Sequence, residues 1–200
     1  MSNASGNPFA VPVLTTLRLR IRPLEPNDLQ SCCDLFASIG WNDPTLNNEE
    51  IIARRQSWLA WTIAGYRELE RLYQPPLGER AVVSRDDDRF IGLVGYVPSF
   101  EPFRRLRSFG ENSKAGRTME LGLFWALHKH VHGRGFATEA ATVLITHAFT
   151  AMAVDRIIAT TRHDNLASIA VMRRLKMDID AYGLPHPGLQ VVGTLRATET

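Results

Sequence analysis

From residue 14 to residue 22 apolar and polar side chains alternate, with Leu17, Leu19 and Ile21 on one side. That two-residue period predicts a half-buried strand, and Pro23 and Pro26 punctuate its end. The period then changes to that of a helix. With Asn27 or Asp28 as cap, Leu29, Cys32, Cys33, Leu35 and Phe36 form one apolar stripe that reaches about Ile39. Turn residues fill 40–48, and a second, longer helical pattern over 49–73 carries Ile51, Trp58, Leu59, Trp61, Ile63 and Leu69 before Pro75, Pro76 and Gly78 close it.

Two strands are expected at 80–84 and 89–97, joined by the polar hairpin loop Arg85-Asp86-Asp87-Asp88. Residues 98–117 show no period. A structureless stretch of that length in a compact domain is usually functional, so it is expected to be mobile and to flank a binding channel. A strand at 118–127, a helix at 133–151, a short strand at 156–161, a helix at 165–175, a Pro/Gly-rich turn at 183–188 and a final strand at 190–195 complete the chain. This order predicts an α/β fold with a mixed sheet: one domain over 13–200, preceded by a loose arm at 1–12.

Composition narrows the function. Two hundred residues, 44% hydrophobic and 22% charged, can bury a sizeable core without staples. A formal net charge of +2, with no Lys/Arg block, gives no reason to expect a specific nucleic-acid partner. No apolar run approaches the roughly 20 residues of a membrane span, and the N-terminus shows no charged-then-apolar signal, so a cytoplasmic protein is expected. The only cysteines, Cys32 and Cys33, are adjacent on the first helix and read as core rather than as a disulfide framework.

Chemistry concentrates at Val131-His132-Gly133-Arg134-Gly135-Phe136-Ala137-Thr138-Glu139-Ala140, between a strand and a helix. The first N–H groups of a helix lack internal partners and, with the macrodipole, form an anion site. Gly133 and Gly135 let the backbone approach a phosphate, and Arg134 adds positive charge. The segment has neither the Gly-Lys-Ser/Thr of a P-loop nor the third glycine of a dinucleotide fingerprint. The alternative is a turn that needs glycines for its shape alone. His128, His130 and His132 alternate, and two of them could chelate a metal, but no carboxylate or thiolate accompanies them, so no metal is expected.

The same segment resembles the pyrophosphate loop of the GCN5-related N-acetyltransferases (GNAT), whose pattern is Gln/Arg-x-x-Gly-x-Gly/Ala. Ala137-Thr138-Glu139-Ala140 resembles the RimJ/RimL-like branch, which acetylates ribosomal-protein N-termini. Three further stretches are similar to that branch in the same order: residues 14–23 with Asp28, Met119-Glu120-Leu121-Gly122-Leu123-Phe124-Trp125, and Asn165-Leu166-Ala167-Ser168. The resemblance implies a GNAT fold, a central mixed, mostly antiparallel twisted sheet flanked by helices, in which two middle strands splay apart around the cofactor.

It also implies acetyl-CoA as co-substrate, held by backbone near Ala126 and Leu127, by main-chain groups from His132 through Gly133, Arg134, Gly135, Phe136, Ala137 and Thr138, and by Asn165. Transfer to a primary amine, a small molecule or a protein N-terminus, is then direct, and the protein must position the reactants and handle protons. His132 replaces the usual Gln/Arg. Met172 stands where many relatives place a tyrosine acid, so Ser168 is the expected donor to the thiolate, its alternative being a helix cap. Glu120 is the expected base through water; its alternative is a half-exposed carboxylate paired with an arginine. Glu139 is expected in a helix-face ion pair, and Lys176 replaces a usual glycine. Trp41, Trp58, Trp61, Phe100 and Phe103 read as core, or as acceptor lining near the long loop. Two other readings stand: a catalytically degenerate acyl-CoA sensor or scaffold, favoured by the missing tyrosine, and an RNA- or ribosome-binding module using Arg104, Arg105, Arg107, Lys114 and Arg117. A homodimer is compatible with all three.

Overall fold

The expected first strand is in fact two. β1 (Leu14–Thr15) and β2 (Leu19–Pro23) pair antiparallel, Leu14 opposite Ile21 and Thr15 opposite Arg20. Between them the Thr16 N–H donates to the Leu19 carbonyl and Thr16 Oγ1 accepts from the Leu19 N–H, each at 2.9 Å. Leu17, expected to face inward with Leu19 and Ile21, is 87% exposed, whereas those two are fully buried. A threonine side chain that satisfies its neighbour's backbone offers a turn in place of the ladder, and alternation alone does not register it.

This computed structural model describes residues 10, 12–110, 116–183 and 189–197. The expected arm therefore lies outside the described residues except at 10 and 12, as do 111–115 of the long loop, with Lys114, and 184–188 of the Pro/Gly turn. A single 3-10 turn, Pro26–Asp28, leads into α1 (Leu29–Ser38). Asp28 caps backward: it accepts from the Glu25 N–H at 2.7 Å and takes two bonds from Arg22 at 2.8 Å. α2 (Asn48–Arg71) opens with a reciprocal capping box between Asn47 and Glu50 and buries Leu59, Thr62 and Tyr66.

β3 (Gly78–Ser84) and β4 (Phe90–Glu101) follow, β4 running past Pro98. Then come two 3-10 turns, Phe103–Arg105 and Arg107–Phe109, β5 (Thr118–Leu127), α3 (Phe136–Thr150), β6 (Arg156–Thr161), α4 (Leu166–Arg174), β7 (Asp178–Ala181) and β8 (Val191–Arg196). The strands form one mixed sheet in the order β1-β2-β3-β4-β5-β6-β8-β7, in which β5 and β6 are parallel. β7 is absent from the sequence expectation. No helix of the described residues is long and apolar enough to cross a membrane.

The chain divides into two compact units, Met1–Gly95 with Trp125–Leu144 and Tyr96–Phe124 with Ile145–Thr200. In the first, β2 and β3 pair from Leu19↔Ser84 to Pro23↔Arg80, over a core that includes Leu19, Ile21, Cys32, Leu35 and Val82. Burial pushes the Cys32 thiol up to about 12, so it serves as a small core hydrophobe. In the second, β6 and β8 pair along the full length of β6, whereas β6 meets β5 only at Leu121↔Ile157 and Gly122↔Ile158. One edge of β6 is therefore free of β5 from Ala159 onward among the described residues.

Residues 103–109 correct the expectation of a structureless loop. Phe103 and Leu106 are buried with Ile158, Tyr182, Leu189 and Val192 in one cluster of the second unit. Ser108 adds polar anchors: its N–H to Asp180, its hydroxyl to Thr194, and its carbonyl from Arg196. Aperiodic sequence hides this because the partners are far away in the chain. Phe103→Ala should cost about 3–5 kcal/mol in urea unfolding, while Phe100→Ala, at a site 54% exposed, should stay within about 0.5 kcal/mol; equal effects would refute the anchoring.

Candidate active site

In the first unit the chain leaves β5 at Leu127 and enters α3 at Phe136. A 3-10 turn, Lys129–Val131, begins the connection. Gly133 (φ 75°) and Gly135 (φ 80°) then take left-handed backbone, which delays the helix from the expected 133 to 136. Nothing lies within 4 Å of where a Gly133 Cβ would stand. The first helical bond here is from the Glu139 N–H to the Gly135 carbonyl at 3.0 Å. The N–H groups of Phe136, Ala137 and Thr138 thus precede the helical ladder. Thr138 Oγ1 is shielded from solvent and has no hydrogen-bond partner among the described residues.

Two contacts hold this loop. His132, exposed, places Nε2 at 2.8 Å from the Leu127 carbonyl; a carbonyl only accepts, so Nε2 carries the proton. Ala126 and Leu127 are buried, and the Leu127 carbonyl is already engaged by His132. The other contact was missed at the level of sequence. Glu139 accepts from Thr16 Oγ1 at 2.5 Å and from the Arg18 N–H at 3.1 Å, and pairs with the Arg18 guanidinium at 2.6 Å. The expected ion pair of Glu139 thus has its partner on the β1–β2 turn. The rings of His128 and His130 lie 5.3 Å apart, and His128 Nδ1 meets Ser38 Oγ at 3.2 Å. No cluster of three metal-ligating side chains occurs among the described residues.

Glu120 and Ser168 belong to the second unit. Glu120 is 7% exposed, and both its oxygens are taken by Arg156, Nε at 2.9 Å and Nη2 at 2.8 Å. The Arg156 guanidinium also lies 3.8 Å from the Phe109 ring centroid. The carboxylate is thus paired with an arginine, as the alternative had it, but buried rather than half-exposed; the pairing itself does not test a role as base. Asn165, exposed, caps α4: its Oδ1 accepts from the Ser168 N–H at 3.1 Å. The Ser168 side chain is not the cap. Ser168 is half-buried, and its hydroxyl bonds to no other described residue.

A cavity of about 430 Å³ in the first unit, lined by Trp41, Asp43, Ile51, Arg54 and Arg55 among others, contains none of the expected site residues except the aromatic Trp41. The expected core aromatics divide: Phe103 is fully buried, whereas Trp41 and Trp61 are more than half exposed.

Residues 18–178 match the family model for the acetyltransferase (GNAT) domain. The chain belongs to the GNAT family. The N-acetyltransferase YnaD of Bacillus subtilis strain 168, itself uncharacterized, is 31% identical over 96 residues, 48% of this chain and 47% of YnaD. The match thus spans about half the length of that curated relative. Among solved structures, the ribosomal-protein-S5-alanine acetyltransferase of Vibrio fischeri aligns with a TM-score of 0.64 at 16% identity, covering 93% of this chain and 97% of that one. Mycobacterium smegmatis RimJ, in complex with CoA-disulfide, aligns with a TM-score of 0.59 at 19% identity, over 90% of this chain and 82% of that one. At these identities the likeness establishes the GNAT fold. Within it, Met172 is fully buried against Gly193, and Lys176 takes left-handed backbone (φ 59°), as the usual glycine would.

The Glu139 network has a pH signature. Burial alone raises its pKa, but the bonds from Thr16 and Arg18 outweigh burial and hold it below the ordinary glutamate value. A carboxylate depressed on folding contributes stability above its unfolded pKa of about 4.3, lost as pH falls through the folded value. Glu139→Gln should therefore lower stability at pH 7 and flatten the decline below about pH 4.3. An acid limb as steep as the parent's in thermal melts would show that the network is not formed.

Proposed function

We propose that this GNAT protein is an acetyl-CoA-dependent N-acetyltransferase that passes acetyl directly to a primary amine, either a protein N-terminus or a small molecule, with residues 13–200 as its working domain. The observation that carries the reading is the left-handed Gly133/Gly135 loop at the start of α3. The loop fits the group. It offers left-handed glycine backbone with open space at Gly133, helix N–H groups ahead of the ladder, an exposed Arg134, and the orphaned Thr138 hydroxyl. RimJ in complex with CoA-disulfide, and the V. fischeri enzyme acting on a ribosomal-protein alanine, support the co-substrate and a protein amine as acceptor.

In this reading His132, Gly133, Arg134, Gly135, Phe136, Ala137 and Thr138 hold the pyrophosphate, backbone at Ala126 and Leu127 meets the pantetheine arm, and Asn165 is a further cofactor-binding residue. Acetyl-CoA supplies an activated acyl carbon and a thiolate leaving group. Ser168 donates a proton toward that thiolate; its support is the Asn-x-x-Ser motif and a hydroxyl not used in capping. Glu120 retains one lone-pair site on each oxygen beyond its arginine pair, and there it accepts, through a bridging water, the proton that the amine loses. No metal enters this chemistry.

Two experiments test this. Acetyl-CoA should raise the melting temperature by linkage, and Gly135→Val should abolish the shift, because a β-branched residue at φ 80° distorts the loop. A shift that persists in folded Gly135→Val would refute the site. Second, free CoA should be released in a panel of peptide N-termini and small amines. Ser168→Ala should then lower kcat about 10-fold or more, about 1.4 kcal/mol, at unchanged stability. Asn165→Ala should cost about 1 kcal/mol of stability. Tight acetyl-CoA binding with no release across the panel would favour the sensor reading.

A further inference from the structure

One guanidinium serves three partners beside the Gly133/Gly135 loop. Arg18 Nε donates to Glu139 at 2.7 Å, Nη2 pairs with the same carboxylate at 2.6 Å, and Nη1 donates to the Arg134 carbonyl at 3.1 Å. Its carbon lies 4.4 Å from the Phe136 ring centroid, and Nη2 is 3.6 Å from where a Gly135 Cβ would stand. The turn that presents Arg18 is braced from the opposite side. Arg85 Nη1 donates to the carbonyls of Thr16 at 2.7 Å and Leu17 at 3.0 Å, and the Arg85 N–H donates to the Arg18 carbonyl at 2.9 Å.

The consequence lies in one peptide plane. The Arg134 carbonyl and the Gly135 N–H belong to the same planar trans unit and point in opposite directions. A donor that draws the carbonyl to one side therefore aims the amide to the other. Gly135, free to rotate through left-handed backbone, has no side chain to set this orientation. Lysine could supply the charge of Arg18, but not a rigid fork that meets a carboxylate and a carbonyl together.

We propose that Arg18 is a positioning residue: through Glu139 and the Arg134 carbonyl it fixes the direction of the Gly135 amide, and so the affinity of the loop for the pyrophosphate of acetyl-CoA, without touching phosphate itself. The proposal rests on the reading of the loop given above. It is tested by titrating acetyl-CoA calorimetrically into the parent, Arg18→Lys, Arg18→Ala, Glu139→Ala and Arg18→Lys/Glu139→Ala, with circular dichroism melts as folding controls. Arg18→Lys should weaken binding about 10-fold, nearly as much as Arg18→Ala. Glu139→Ala should also weaken it, although it removes negative charge near an anion. The double variant should bind no worse than the weaker single one, because both break one clamp. Parent-like binding by Arg18→Lys, or tighter binding by Glu139→Ala, would mean that Arg18 acts as a charge and would overturn the clamp alone. If Arg18→Ala does not fold, Arg18→Lys and Glu139→Ala decide the matter. Absence of binding by the parent would instead overturn the functional reading and the clamp with it.

Discussion

Every helix begins with N–H groups that nothing inside it can satisfy, and α3 begins with them at the end of the glycine loop that leaves β5. Much of the first unit is arranged around that constraint. Two left-handed glycines reverse the chain, His132 ties the reversal to the end of β5, and the β1–β2 turn reaches Arg134 and Glu139. The result is a set of oriented N–H dipoles at the start of α3, built mainly from backbone. This explains why so few side-chain identities mark the site, and why glycine positions carry most of the signal.

Two Arg–Glu pairs show the same chemistry put to different uses. Arg18–Glu139 is partly exposed, 38% and 19% at the side chains, so solvent screens it and its direct stabilisation is small. Its weight lies in geometry, since the same guanidinium also grips a loop carbonyl. Glu120–Arg156 is buried, 6% exposed at the carboxylate, and its desolvation cost offsets much of its attraction. Breaking either partner would strand a buried charge, so this pair specifies the packing of β5 against β6 and Phe109 more than it adds net stability.

Most elements were legible because their periods are local: the stripe of α1, the capping box of α2, the β3–β4 hairpin, and α4 from its Asn165 cap. Misreadings occur where distant partners decide. Leu17 fits an alternating strand until Thr16 and Arg18 bind Glu139, 121 residues beyond Arg18 in sequence. Phe103 and Leu106 sit in aperiodic sequence yet anchor in a core formed by Ile158, Tyr182 and Val192. β7, Asp178–Ala181, was missed because its alternating acids and largely exposed residues lack the apolar face of a strand; it is an edge strand, where such charges discourage further pairing. In the candidate site, the left-handed turn at Gly133 and Gly135 and the capping role of Asn165 were readable from residue types. The arginine that takes Glu120 was not, because an isolated carboxylate in a strand pattern does not reveal its partner.

α4 carries Ser168, the proton donor of the proposed reaction. Its end takes a standard form: the Met177 N–H reaches the Met172 carbonyl at 3.1 Å and the Lys176 N–H the Arg173 carbonyl at 3.0 Å, the paired bonds of a Schellman stop. Lysine at φ 59° bears left-handed strain to keep it. Met172, which stands at the position expected for a tyrosine, is fully buried, with its sulfur 3.2 Å from where a Gly193 Cβ would stand. Ser168 lies four residues earlier, on the same helix face as Met172, and is the only hydroxyl between Leu166 and Arg174. With Asn165 supplying the cap, that hydroxyl is not needed to start the helix. If a proton is to come from this face of α4, Ser168 is the one group left to give it.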